Sequence, residues 1–241
     1  MSPFSSTPTS NSKKFDWVSR HDERSRDYPV RAALPSSVVR KRKSWYVPKP
    51  VIDQGREGAC VGFGWTNELR ALPVSIKFPD PTATALGIYR QAKLMDEWAG
   101  EDYEGTSVLA GAKVAQSMGF ISMYRWAFGI DDVIDTIVTS GPVVLGIPWY
   151  DSMYGTRKSG LIDVSGSLVG GHCILATGYN PKARFISEGF GQKFEIIRLR
   201  NSWGSDYGVN GDGFIRVEDL SRLLSEGGEA CVPVGRMSPK Q

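Results

Sequence analysis

A cysteine, a histidine, an asparagine and a glutamine, carried on three short segments far apart in the chain, could together perform acyl transfer through a thiol. The segments are Asp53-Gln54-Gly55-Arg56-Glu57-Gly58-Ala59-Cys60, Gly170-Gly171-His172-Cys173 and Asn201-Ser202-Trp203-Gly204. A thiol needs a neighbouring base to become a thiolate, the imidazole needs an orienting partner, and the developing oxyanion needs donors. Cys60, His172, Asn201 and Gln54 fill those roles. The chain has 2 histidines. His21 lies in a charged amino-terminal run, whereas His172 opens an apolar stretch behind two glycines. Taken singly, a cysteine at a helix start is more often a small buried hydrophobe, and a histidine on an apolar strand is usually a satisfied core residue. The joint occurrence of four roles is what carries the reading.

The elements that must position these groups are legible from periodicity. After the Gly58 turn, Val61, Trp65, Leu69 and Leu72 recur at helical spacing, which puts Cys60 in the first turn of a buried helix. The positive end of a helix dipole favours thiolate. A second helix is expected from about Thr82 to Trp98, and a third from near Thr106 to Gly119. A fourth follows the stripe Ile130, Val133, Ile134, Ile137 and Val138, closed by Gly141-Pro142. The pattern then changes to strands, expected at Val143 to Ile147, His172 to Thr177, Phe194 to Leu199 and Phe214 to Val217. Gly170 and Gly171, lacking Cβ atoms, are expected to leave room for the helix that carries Cys60.

Composition narrows the alternatives. At 241 residues with 41% hydrophobic content, the chain fits one large domain or two lobes sharing a core. A formal charge of +3 argues for neither nucleic acid nor an acidic membrane as partner. Arg40-Lys41-Arg42-Lys43 reads as a solvated surface segment. The 3 cysteines, Cys60, Cys173 and Cys231, cannot form a disulfide framework, and with two histidines they give no metal-ligand spacing. No Gly-rich phosphate loop precedes a lysine. No metal, cofactor, nucleic acid or membrane partner is expected, and the oligomeric state is left open. Residues 1–33, rich first in Ser, Thr and Pro and then in charge, read as a flexible or surface-draped arm without a secretory signal. A cytoplasmic protein, or one packaged in a phage or virion particle, is the expectation.

The three segments resemble the papain-like (C1) cysteine peptidases, in particular divergent bacterial and phage-type members. Gln54 stands six residues before Cys60, as the family's oxyanion glutamine does, and Asn201 to Gly204 matches its Asn-Ser-Trp-Gly run. The resemblance spans roughly Leu34 to Val217. It implies an α+β, two-lobe papain-like fold within a domain at 34–241. A helical lobe at about 50–130 would supply the nucleophile, and a lobe of antiparallel β-sheet or barrel at about 140–220 the base and orienter, across a cleft. It also implies hydrolysis of a peptide or protein substrate through a thioester on Cys60, with His172 as base and then acid. Asn201 would orient the imidazole and Trp203 shield it, while Gln54 and the Cys60 N–H would hold the oxyanion. Gly105 would pair with extended substrate, and Trp203 counts with it as substrate-binding. Two further readings stand beside this one: a transpeptidase-like acyl transferase, and a non-catalytic papain-like module in a phage or secretion assembly. The arm, ending just before Leu34-Pro35, could itself occupy the cleft. Glu57 and Val61 depart from secreted relatives, which carry a disulfide cysteine and an aromatic there. Asn180 to Lys193 reads as an extended hairpin loop.

Overall fold

The computed structural model describes residues 14, 17–19, 22–95, 105–185 and 190–237. His21 and the expected end of the second helix, up to Trp98, fall outside them. The described residues form five α-helices and a seven-stranded antiparallel sheet. In chain order these are β1 (Lys43–Ser44), α1 (Cys60–Arg70), α2 (Pro81–Met95), α3 (Val108–Ser117), β2 (Ile121–Trp126), α4 (Ile130–Thr139), β3 (Val143–Tyr150), β4 (Leu168–Phe185), β5 (Phe190–Arg200), β6 (Asp212–Arg216), α5 (Val217–Ser225) and β7 (Glu229–Arg236). The sheet order is β2-β7-β3-β4-β5-β6, with β1 on β4.

The two faces of the central strands serve two cores, because side chains alternate along a strand. Leu145, Ile147, Trp149 and Ile174 enter a core with α4 and α5. Val144, Cys173, Leu175 and Cys231 face a second core built with α1 and α3. Helix α1 is buried along its whole length. It carries two glycines that cost helix stability in isolation and permit close packing here. A Cβ on Gly62 would overlap the Ala85 carbonyl of α2, and one on Gly64 would come 2.6 Å from Cys173 Sγ of β4. Glu68, fully buried on α1, is paired with Arg236 of β7, which ties the helix to the strand beside β3.

Several elements depart from expectation. Strands β2 and β7 form one end of the sheet although the sequence suggests neither; Pro233 and Gly235 weaken the β signal of β7. Val217 begins a helix rather than ending a strand. Instead of a loop, the segment after Asn180 continues β4 to Phe185, and β5 resumes at Phe190. The described part of the 1–33 arm packs against the body, with Trp17 and Val30 each buried in a core. Arg31 pairs with Asp132 and Asp135 of α4.

Candidate active site

Cys60 is the first residue of α1, and the helix's N-cap, Ala59, makes no side-chain hydrogen bond to the N–H groups of the first turn. Gly64 lies one turn further along the same face of α1 and rests on Cys173, the residue after His172. The missing Cβ of Gly64 thus lets the nucleophile's helix close onto the strand that carries the histidine. Burial, and then the nearby Cys60, push the Cys173 thiol well up, so Cys173 stays a neutral packing residue. All three cysteines are free thiols.

His172 and Asn201 are both fully buried, with His172 Nε2 2.9 Å from Asn201 Oδ1. Ser202 N–H also donates to Asn201 Oδ1, at 2.8 Å. A backbone N–H can only donate, so that atom of the amide is the oxygen, and the imidazole proton sits on Nε2. Nδ1 is then the basic nitrogen of neutral His172. Trp203 packs over the imidazole at 4.9 Å between ring centres, and Trp149 meets it edge-on at 4.7 Å. Tyr154 and Tyr207 extend the aromatic shell around Trp203. The shell lowers the local dielectric around the His172–Asn201 bond and strengthens it. Trp203 is only 6% exposed, so its contacts are those of a cover for the imidazole.

Gln54 is stitched to the Asn201 loop at several points. Its backbone N–H donates to Ser202 O at 2.9 Å, Gly204 N–H donates to Ile52 O, and Asp53 bridges Trp203. Its side-chain oxygen accepts from Ser202 Oγ at 2.8 Å, which leaves the NH₂ end to donate. That end reaches Glu57 O at 2.9 Å and Lys14 O of the arm at 3.3 Å. The Cys60, His172, Asn201 and Gln54 segments therefore converge where α1 meets β4 and the β5–β6 end of the sheet. The carbonyl of Lys14 rests on the donor expected to hold an oxyanion.

Gly105 is buried with φ +122°, in the left-handed range that favours glycine. Its neighbour Thr106 pairs in parallel with Trp17, accepting from Val18 N–H at 3.2 Å, and Gly171 O on the opposite wall accepts from Trp17 N–H at 3.0 Å. Trp17 and Val18 thus bridge the wall that carries Thr106 and the wall that carries Gly171. A Cβ on Gly171 would overlap the Trp17 indole. The room at Gly171 accordingly serves the arm, and the glycine that admits the Cys60 helix is Gly64. Sequence reasoning missed Ser202, Gly64 and Trp17. Ser202 stands inside a recognised run without a role, and Trp17 lies in a polar arm with no apolar periodicity to mark it.

Residues 109–229 match the model of the papain family cysteine proteases, a span that holds His172 and Asn201 and begins after Cys60. No curated protein sequence matches the chain. Among solved structures, xylellain, a cysteine protease from Xylella fastidiosa, is similar with a TM-score of 0.64 at 20% identity, covering 96% of this chain and 100% of that one. Digestive procathepsin L 3 of Tenebrio molitor larval midgut is similar at 0.56 and 16% identity, over 83% of this chain and 72% of that one. The proform of the ragweed pollen cysteine protease Amb a 11 is similar at 0.57 and 14%, over 86% and 62%.

Proposed function

The chain belongs to the papain family of cysteine proteases, and from that premise we propose that it hydrolyses peptide bonds through a thioester on Cys60. His172 takes the thiol proton through Nδ1, the Cys60 sulfur attacks the carbonyl carbon, and the C–N bond breaks as His172 returns the proton to the leaving amine. Water, deprotonated by His172, then cleaves the thioester. Asn201 holds the imidazole, and the Gln54 NH₂ and Cys60 N–H bind the oxyanion of each tetrahedral intermediate. The observation that carries this reading is the buried His172 Nε2 to Asn201 Oδ1 bond of 2.9 Å, which leaves Nδ1 as the basic nitrogen. Cys60→Ala or His172→Ala in the full chain is expected to abolish cleavage of a denatured protein substrate while the far-ultraviolet circular dichroism is unchanged. Full activity in either variant would overturn the assignment.

A second reading concerns regulation, and the contacts of the arm favour it. With Trp17 buried and the Lys14 carbonyl on Gln54, substrate must displace the arm before it reaches Cys60. Two of the similar structures are likewise described as a procathepsin and a proform.

A further inference from the structure

Register along β5 puts Arg198 and Arg200 on one face of the sheet, since side chains alternate along a strand. Asp212 of β6 lies opposite Arg200, and Ser44 of β1 and Arg198 both lie opposite Gly178 of β4. The two arginines share that one carboxylate: Arg198 Nε donates to Asp212 Oδ2 at 3.0 Å and Arg200 Nη2 to the same oxygen at 3.1 Å. A third guanidinium arrives from the last residue of α1. Arg70 Nη2 donates to Pro48 O at 2.8 Å and to Pro50 O at 3.0 Å. Its buried Nη1 meets no hydrogen-bond acceptor, and among the described residues no carboxylate pairs with it. Burial, and then the charge of Arg200, pull the Arg70 guanidinium below its usual pKa. Arg70 and Arg200 are only 4% and 7% exposed, and buried positive charge without a counter-charge is costly.

We propose that Arg70, Arg198 and Arg200 form a binding site for a doubly charged phosphate, free or as a monoester. Three guanidinium groups against one carboxylate leave two positive charges, which a dianion neutralises. The guanidinium fork matches phosphate oxygens in geometry as well as in charge, and Arg70 Nη1 is the donor left to bind them. Solvent reaches the cluster at Arg198, whose side chain is 36% exposed. The exposed Tyr46 stands there too, close enough to act on both Arg70 and Arg200, and its hydroxyl is a further donor. Arg70 ends the helix that Cys60 begins, and Arg200 directly precedes Asn201. A dianion bridging the two clamps the nucleophile's helix to the strand that leads into the asparagine.

The test titrates the native chain calorimetrically at pH 8, in buffer free of phosphate and sulfate, with inorganic phosphate and with phenyl phosphate. One saturable site is expected. Phenyl phosphate binding as tightly as inorganic phosphate, or more tightly, assigns the site to monoesters; binding of inorganic phosphate alone assigns it to the free ion. Arg70→Met is expected to weaken binding about tenfold, and Arg90→Met, at an exposed position on α2, to leave it unchanged. No saturable binding of either probe, or equal losses in the two variants, would overturn the proposal. Should Arg70→Met fail to fold, Arg70→Lys keeps the charge and deletes the fork, and affinity equal to that of the native chain would count against the site. Phosphate at about ten times its dissociation constant is also expected to raise the native melting midpoint by about 3–6 °C. An equal rise in sodium chloride of the same ionic strength would reduce the effect to screening and sink the proposal. None of these readouts uses turnover, so the outcome is independent of the peptidase reading.

Discussion

The carboxamide oxygen of Asn201 accepts two hydrogen bonds, from His172 and from the backbone of the next residue. That double use fixes the amide's orientation and, through it, the imidazole proton. Ser202 works in the other direction as well, since its hydroxyl donates to Gln54 and turns that side chain's NH₂ end outward. Ser202 is a positioning residue in this account, acting through Gln54. Ser202→Ala is expected to lower kcat by about tenfold to 100-fold with little change in KM, the cost of a slightly misplaced donor. Ser202→Thr, which keeps the hydroxyl, should restore most of the rate, and equal activity of wild type and alanine variant would remove the role. Cys60, His172, Asn201 and Gln54 were legible in the sequence because each sits in a short run whose composition reflects its chemistry. Ser202 was not, because its partner, Gln54, is over a hundred residues away.

Packing between elements decides whether those residues meet. Gly64 lets α1 rest on β4 at Cys173, and the helix start follows. The sequence showed α1 and α4 clearly because their apolar stripes are long. It concealed α5, which buries only Leu220 and Leu223, and β7, where Pro and Gly interrupt the pattern. Helix α4 performs a second task through its acidic face. Asp135 accepts from Arg31 of the arm and Arg40 of the following segment. Burial pushes the Asp135 carboxyl up, but the two guanidinium groups outweigh it and hold it below the usual carboxylate range. A carboxyl lowered in this way stabilises the folded chain above its unfolded pKa, near 3.9. That contribution is lost as pH falls through the folded value. Asp135→Asn should therefore destabilise the chain by about 1–3 kcal/mol at neutral pH, less whatever solvent screens at the half-exposed Arg31. Its urea midpoint should fall less steeply than wild type's below about pH 4. Parallel midpoint-against-pH curves for the two proteins would contradict this.

Across the whole molecule, the chain's own amino-terminal segment hydrogen-bonds to both walls, buries Trp17 and places the Lys14 carbonyl on Gln54. The sequence showed a polar arm and left its position open, because one tryptophan among charged residues carries no periodicity. Arm and site together describe a peptidase whose thiol is complete but covered. The most direct test of that claim is the intact mass of the native chain, Trp17→Ala and Cys60→Ala after exposure to a peptide epoxide directed at cysteine proteases, at neutral pH. The account predicts one adduct on Trp17→Ala, formed faster than on the native chain, and none on Cys60→Ala. A folded Trp17→Ala chain that takes no adduct, or an adduct that persists on Cys60→Ala, would contradict it.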